Sequence, residues 1–134
     1  MRLYVIILCG AILLTACSTP AQTGNVIDQG PVKSCSLPDF SCFVEQDGPN
    51  DVGFSLQNNL GFDLSSVTVT LNTTDCDIQT TSINLGDMPK DAITPVHFTC
   101  VSAMPDTLGA SIAVGYVSTN GQTGAETGSL SIKN

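Results

Sequence analysis

The sequence has little positive charge and few aromatic residues. Its 134 residues include four Lys and Arg against twelve Asp and Glu, which gives a net charge of −8, and there is no Trp. A surface this acidic repels phosphate groups, so we expect no nucleic acid as a partner and no electrostatic binding to anionic lipids. Any attachment to a membrane must then be covalent or hydrophobic.

The motifs of common catalytic and cofactor sites are also missing. The chain contains no C-x-x-C pair, no G-x-S-x-G turn and no glycine-rich phosphate loop leading into a helix. His97 is the only histidine, and the alternation of its neighbours Val96 and Phe98 places it on the outer face of a strand. We interpret it as a solvated surface residue, and we predict a protein that is not an enzyme and has no metal or cofactor.

The amino terminus carries the most specific motif of the chain. After Met1 and Arg2, an apolar run ends at Leu14-Thr15-Ala16-Cys17. The run from residue 3 to residue 16 is shorter than the roughly 20 residues that a membrane-spanning helix needs, but it fits the apolar helix of a signal peptide. The segment Leu14–Cys17 resembles the lipobox of bacterial-type lipoproteins. That resemblance implies cleavage after Ala16 and acylation of the Cys17 thiol.

An ordinary secretory signal cleaved elsewhere, or an uncleaved anchor, is the alternative interpretation of this segment. A pilin-like filament subunit is a further alternative, although pilins have a basic cleavage site and a longer apolar helix. The lipobox resemblance predicts an exported protein that is held on the extracytoplasmic side of a membrane, at the outer membrane or cell surface, through the lipid on Cys17.

Four cysteines remain beyond the predicted signal peptide and the lipid acceptor. Export would place them in an oxidising compartment, where disulfides are the default and zinc binding is the weaker alternative. Four cysteines allow three connectivities. Proximity along the chain and the strand layout favour two pairs, Cys35 with Cys42 and Cys76 with Cys100.

The segment after Cys17 differs in composition from the rest of the chain. Residues 18–34 are polar, contain several Gly and Pro residues and show no periodicity. We predict a lipidated flexible tether over 17–34, after a signal peptide over 1–16 and before a single domain over 35–134.

The predicted domain is built of short segments in which apolar and polar residues alternate. This pattern is typical of half-buried antiparallel strands, and no helical periodicity is sustained over ten residues. Seven strands are predicted; the residues that mark them lie within 40–44, 52–56, 67–71, 78–85, 96–100, 110–116 and 130–132. Gly86-Asp87 is predicted to end the fourth of these strands as a turn.

Seven short strands at this spacing predict an all-β, immunoglobulin-like antiparallel sandwich. The segments S-C-S-L-P-D-F-S-C, V-T-V-T-L-N-T-T-D-C and V-H-F-T-C resemble small cysteine-containing β-sandwich domains of secreted, pilus-like and archaeal cell-surface proteins. The resemblance covers residues 35–132 and implies a surface module without catalytic residues.

Two acidic segments and one sequon complete the candidate sites. Asp75 and Asp77 flank Cys76, and residues 47–51 form an acidic loop; either segment offers oxygen ligands for a calcium ion, although neither has the spacing of a known calcium loop. Asn72-Thr73-Thr74 is a possible N-glycosylation sequon in a host that modifies exported asparagines.

Two functions fit these observations. The first is a lipid-anchored envelope or surface module with a structural or interaction role. The second is a binding or inhibitory lipoprotein that captures a soluble protein, a peptide or a calcium ion, with an envelope protein as its partner. The sequence does not define the oligomeric state.

Overall fold

The structure, a computed structural model, describes residues 31–134. Alternating apolar residues produce eight strands, whose ranges are β1 Val32–Ser36, β2 Phe40–Val44, β3 Asp51–Asn58, β4 Leu64–Asn72, β5 Ser82–Met88, β6 Ile93–Thr99, β7 Thr107–Ser118 and β8 Thr123–Lys133. No helix in this part of the chain is long and apolar enough to cross a membrane. The predicted signal peptide with its helix, Cys17 and most of the predicted tether lie outside the described residues.

The strands form two antiparallel sheets. One sheet has five strands in the order β1-β8-β7-β4-β5, and the other has three in the order β2-β3-β6. The strands β2 to β8 follow immunoglobulin connectivity: β2, β3 and β6 match strands A, B and E, while β4, β5, β7 and β8 match C, C′, F and G. The predicted all-β sandwich is therefore confirmed, with one strand more than the seven that were predicted.

The additional strand is β1. It pairs antiparallel with β8, with Val32 opposite Lys133 and Ser36 opposite Ser129. Its first three residues belong to the segment that was predicted to be a tether. Almost all of β1 is exposed, so it has no alternating apolar pattern, and its pairing with β8 defines it as a strand.

The core lies between the inner faces of the two sheets. Strands β3, β4 and β7 supply most of it through alternate residues, in agreement with the sequence pattern. The largest buried side chains are Phe54, Phe98, Leu56, Leu71, Met88, Leu108, Ile112, Leu130 and Ile132. Phe54 and Phe98 stack with their ring centroids 6.3 Å apart.

The strand β5 differs from its prediction at both ends. It begins at Ser82, and Ile78 instead forms an isolated bridge with Cys100. At the other end, the predicted turn at Gly86-Asp87 lies inside the strand, which continues to Met88. Gly86 has a φ of +71° and lies opposite Val67, where the register with β4 shifts. The glycine therefore forms a bulge, which leaves the strand paired beyond it.

Both predicted disulfides are present, and each joins the two sheets. Cys35 in β1 is bonded to Cys42 in β2, with their Cα atoms 5.4 Å apart. Cys76, in the connection between β4 and β5, is bonded to Cys100 directly after β6, with their Cα atoms 5.8 Å apart. The sandwich is thus cross-linked at two separate places.

Candidate functional site

Two candidates that are far apart in the sequence meet at one end of the three-stranded sheet. The loop between β2 and β3 contributes Asp47, the first residue of β3 is Asp51, and β6 contributes His97. We call these three residues the Asp–His cluster. Within residues 31–134 it is the only group of three or more His, Cys, Asp or Glu side chains close enough together to hold one metal ion.

The strand register explains why the cluster forms. Asp51 pairs with Thr99 and Gly53 pairs with His97, so Asp51 and His97 are diagonal neighbours on the outer face of the sheet. Diagonal side chains on adjacent strands are within reach when they are long or aromatic. Because the residue directly opposite His97 is a glycine, no side chain separates the imidazole from the Asp51 carboxylate.

The cluster has a well-defined hydrogen-bond geometry. His97 Nδ1 lies 3.0 Å from Asp51 Oδ1 and 3.1 Å from Asp51 Oδ2. Asp51 Oδ2 also accepts a hydrogen bond of 2.9 Å from the Asp47 amide. On the other side of the ring, His97 Nε2 lies 3.8 Å from Asp47 Oδ2, which is beyond hydrogen-bond distance. The imidazole is therefore flanked by a carboxylate at each nitrogen.

The three side chains differ in exposure. That of Asp47 is 82% exposed, that of His97 39% and that of Asp51 only 15%. The loop that carries the two acids is held by its backbone, because Asn50 accepts a hydrogen bond from the Cys100 amide and Pro49 accepts one from the Met104 amide. The cluster consequently has a hydrogen-bonded inner pair, Asp51 and His97, and an outer carboxylate, Asp47, that is almost fully exposed.

The structure revises the interpretation of His97. The outer-face position and the solvent exposure agree with the prediction, but the ring is hydrogen-bonded to Asp51, whereas the sequence pattern indicated a lone histidine. A histidine oriented by a carboxylate has the arrangement of a general base. In residues 31–134, however, the Asp51 oxygens are the only hydrogen-bond partners of the ring, and no hydroxyl or thiol is bonded to it.

The other predicted site residues lie apart from this cluster. Asp75 Oδ2 accepts a 2.7 Å hydrogen bond from the Gly109 amide, which fastens the loop after β4 to β7. Asp77 does not join it in a group of potential ligands. Asn72 is exposed at the end of β4, so its glycosylation stays a prediction. Cys17 lies outside the described residues, and its lipidation likewise stays a prediction.

A second polar group was not expected from the sequence. Glu126 lies on the core face of β8 and is only 9% exposed. Its Oε2 accepts a 3.1 Å hydrogen bond from the Asp39 amide, while its Oε1 is buried and has no hydrogen-bond partner among the described residues. The alternation of β8 places residue 126 on the inner face. Its burial could not be predicted from the sequence, because charged residues are normally exposed.

Burial controls the ionisation of this group. It raises the pKa of Glu126, the Asp39 amide hydrogen bond partly opposes that rise, and the Asp39 carboxyl group adds to it. Tyr116 lies nearby with its ring edge against Phe40, at a centroid distance of 5.9 Å. The pKa of Tyr116 is raised, first by burial and then by the charges of Glu126 and Asp39.

Comparison with known protein families gives no match for this sequence, and comparison with curated proteins gives none either.

Proposed function

We propose that the chain is an exported lipoprotein whose β-sandwich is anchored outside the membrane by the lipid on Cys17 and acts by contact with other molecules, without catalysis. The observation that carries the proposal is the pair of disulfides between the sheets. Structural disulfides persist in oxidising compartments and are rare in reducing ones. Four paired cysteines in the folded domain therefore support the export that the Leu14–Cys17 motif predicts.

The arrangement around His97 supports a role without catalysis. A nucleophilic mechanism needs a hydroxyl or thiol within hydrogen-bond reach of the base. The ring of His97 instead has a carboxylate near each of its nitrogens. Such an arrangement is better suited to binding than to activating a nucleophile.

The outer face of the three-stranded sheet supports a role in contact. Phe43 in β2 is 55% exposed and Ile93 in β6 is 61% exposed. Phe43 and Pro95 both lie opposite Ser55, and Ile93 lies opposite Gln57 in the next row of the same face, so three apolar residues flank the polar central strand. Exposed apolar residues grouped on one face are typical of surfaces that bind other proteins.

Capture of a soluble partner or an ion is the second candidate function. It is favoured by one observation, the convergence of Asp47, Asp51 and His97, whose potential ligand atoms lie within 4.8 Å of one another. A purely structural module has no need of these three side chains together. The two functions share the lipid anchor and differ in what the exposed sheet binds.

Metabolic labelling with a fatty acid tests the anchor. We expect the wild-type chain and a Cys9→Ala variant to incorporate the label and to fractionate with membranes, because Cys9 lies inside the predicted signal peptide. We expect Cys17→Ala to incorporate none, because it lacks the acceptor thiol. Equal labelling of wild type and Cys17→Ala would exclude the lipoprotein assignment.

A further inference from the structure

The Asp–His cluster offers the ligand distances of a metal site. One ligand atom from each of its three residues can be chosen so that all lie within 4.8 Å of one another. Zinc binds nitrogen and oxygen at about 2.0–2.2 Å, so two ligands of the same ion lie roughly 3–4 Å apart. His97 Nδ1 and the two Asp51 oxygens already satisfy this condition, at 3.0 Å and 3.1 Å. The exposed carboxylate of Asp47 lies nearer to the other ring nitrogen, with Oδ2 3.8 Å from Nε2, so it has to turn toward Nδ1 to complete the set.

The charge of the cluster is not balanced by the protein. Asp47 and Asp51 are both acids, and in residues 31–134 their only basic neighbour within ion-pair distance is His97. No lysine of this part of the chain pairs with either carboxylate. An ion pair between His97 and Asp51 would balance the charge of Asp51 alone. A divalent cation bound at Nδ1 would balance the charge of both carboxylates once Asp47 turns to that side of the ring.

Gly53 provides the space in which the ligands meet. A Cβ atom at this position would lie 2.6 Å from Asp51 Oδ2 and 2.7 Å from His97 Nδ1, and it would also contact the Glu45 carbonyl oxygen. The Glu45 amide in turn donates a 2.8 Å hydrogen bond to the Gly53 carbonyl oxygen, which fixes the start of the acidic loop. The absence of a side chain at residue 53 therefore allows the imidazole, the carboxylate and the loop to come together.

The ligand types select the class of cation. Calcium prefers six to eight oxygen ligands, and magnesium prefers an octahedral set of oxygens with several waters. An imidazole nitrogen with two carboxylates instead favours divalent ions such as zinc, cobalt, nickel or copper. Three protein ligands leave at least one coordination position for water.

We propose that Asp47, Asp51 and His97 form a binding site for a divalent transition-metal ion of the zinc class on the outer face of the three-stranded sheet. The proposal departs from the prediction that no metal is bound, and it names a different cation from the calcium considered as an alternative for the acidic loop, since β6 adds a nitrogen ligand. It does not depend on the lipid anchor, because all three ligands belong to the folded domain.

Titration calorimetry with Zn²⁺ and with Ca²⁺ tests the proposal. The full-length chain is used in detergent after treatment with a chelator, and every sample carries Cys9→Ser and Cys17→Ser so that no free thiol binds the metal. We expect one Zn²⁺ per chain and weaker or no binding of Ca²⁺. We expect Asp47→Asn to weaken Zn²⁺ binding by about tenfold or more and His97→Ala to abolish it. Asp87→Asn makes the same chemical change at an exposed acid outside the cluster and should leave the affinity unchanged.

A second measurement separates a lost ligand from a disturbed fold. Asp47 is so exposed that its replacement by Asn should leave the melting temperature of the metal-free chain unaltered. Visible absorption with Co²⁺ in place of Zn²⁺ should show ligand-field bands in the parent chain that His97→Ala loses. Equal Zn²⁺ affinity of the parent, Asp47→Asn and His97→Ala would overturn the proposal, as would the absence of saturable binding up to about 1 mM Zn²⁺. Tighter binding of Ca²⁺ than of Zn²⁺ would overturn the assigned class of cation.

Discussion

Glu126 shows how one residue can make the stability of the domain depend on pH. Its carboxyl group lies at the edge of the core with one oxygen unpartnered, so burial penalises the charged form. Burial is accordingly the first cause of the raised pKa. A carboxyl pKa that is higher in the folded state than in the unfolded state favours folding at low pH. That contribution is complete below the unfolded pKa of about 4.3 and is lost as the pH rises through the folded value.

Replacement of the Glu126 carboxyl group by an amide should remove this contribution to the pH dependence of stability. We expect Glu126→Gln to flatten the fall in unfolding free energy between pH 4 and pH 8, and to stabilise the domain at neutral pH by about 1 kcal/mol. Urea unfolding at several pH values measures both effects. Glu45→Gln is the matched control, because Glu45 is the other glutamate and is exposed. A variant as pH-dependent as wild type would show that Glu126 is not the group responsible.

Among the elements, β5 contains a bulge whose geometry depends on glycine. Gly86 has a φ of +71°, a conformation that residues with a Cβ atom rarely adopt. Gly115 in β7 is a useful comparison, because at both positions a Cβ atom would meet no other atom within 4 Å. The two glycines thus differ in backbone conformation and not in the space around them.

The two alanine substitutions should therefore have different effects. We expect Gly86→Ala to lower the unfolding free energy by about 1 kcal/mol, since the bulge would force alanine into the left-handed region. We expect Gly115→Ala to be neutral or to stabilise the domain by up to about 0.5 kcal/mol, because alanine restricts the unfolded chain. Thermal and urea unfolding of both variants measure the difference. Equal effects would mean that the bulge relaxes to accept a side chain.

Strands with a strict alternation of apolar residues could be predicted from the sequence, and strands defined by pairing could not. Val67, Val69 and Leu71 point into the core and marked β4 clearly. By contrast, β1 is almost fully exposed, so no apolar pattern reveals it. The Asp–His cluster was missed for a related reason. Asp51 and His97 are 46 residues apart, and only the register of β3 with β6, which the sequence does not define, makes them neighbours.

For the whole molecule, the two disulfides close loops of different length. Cys35 and Cys42 are 7 residues apart in the sequence, while Cys76 and Cys100 are 24 apart. In the chain-entropy treatment, a disulfide stabilises a protein by restricting its unfolded state, and the effect grows with the length of the loop. The expected contributions are about 2.5 kcal/mol for the short loop and about 3.5 kcal/mol for the long one.

Removal of each pair should reveal this difference. We expect the double variant Cys76→Ala/Cys100→Ala to lose about 1 kcal/mol more stability than Cys35→Ala/Cys42→Ala. Urea unfolding under oxidising conditions measures both losses, and wild type treated with a reducing agent gives the loss of both bridges together. A larger loss for the short loop would show that contacts in the folded state, and not loop length, set the contribution.

The short disulfide also determines how the domain responds to mechanical load. A pull applied to the chain before Val32 acts at the start of β1, whose hydrogen bonds to β8 can break one after another. This unzipping stops at Cys35, because the covalent bond transfers the force to Cys42 in β2 of the opposite sheet. From that residue on, β2 of the smaller sheet shares the load with the last pairs of β1 and β8. The Cys35–Cys42 disulfide thus limits how far a pull on the preceding chain can separate β1 from the larger sheet.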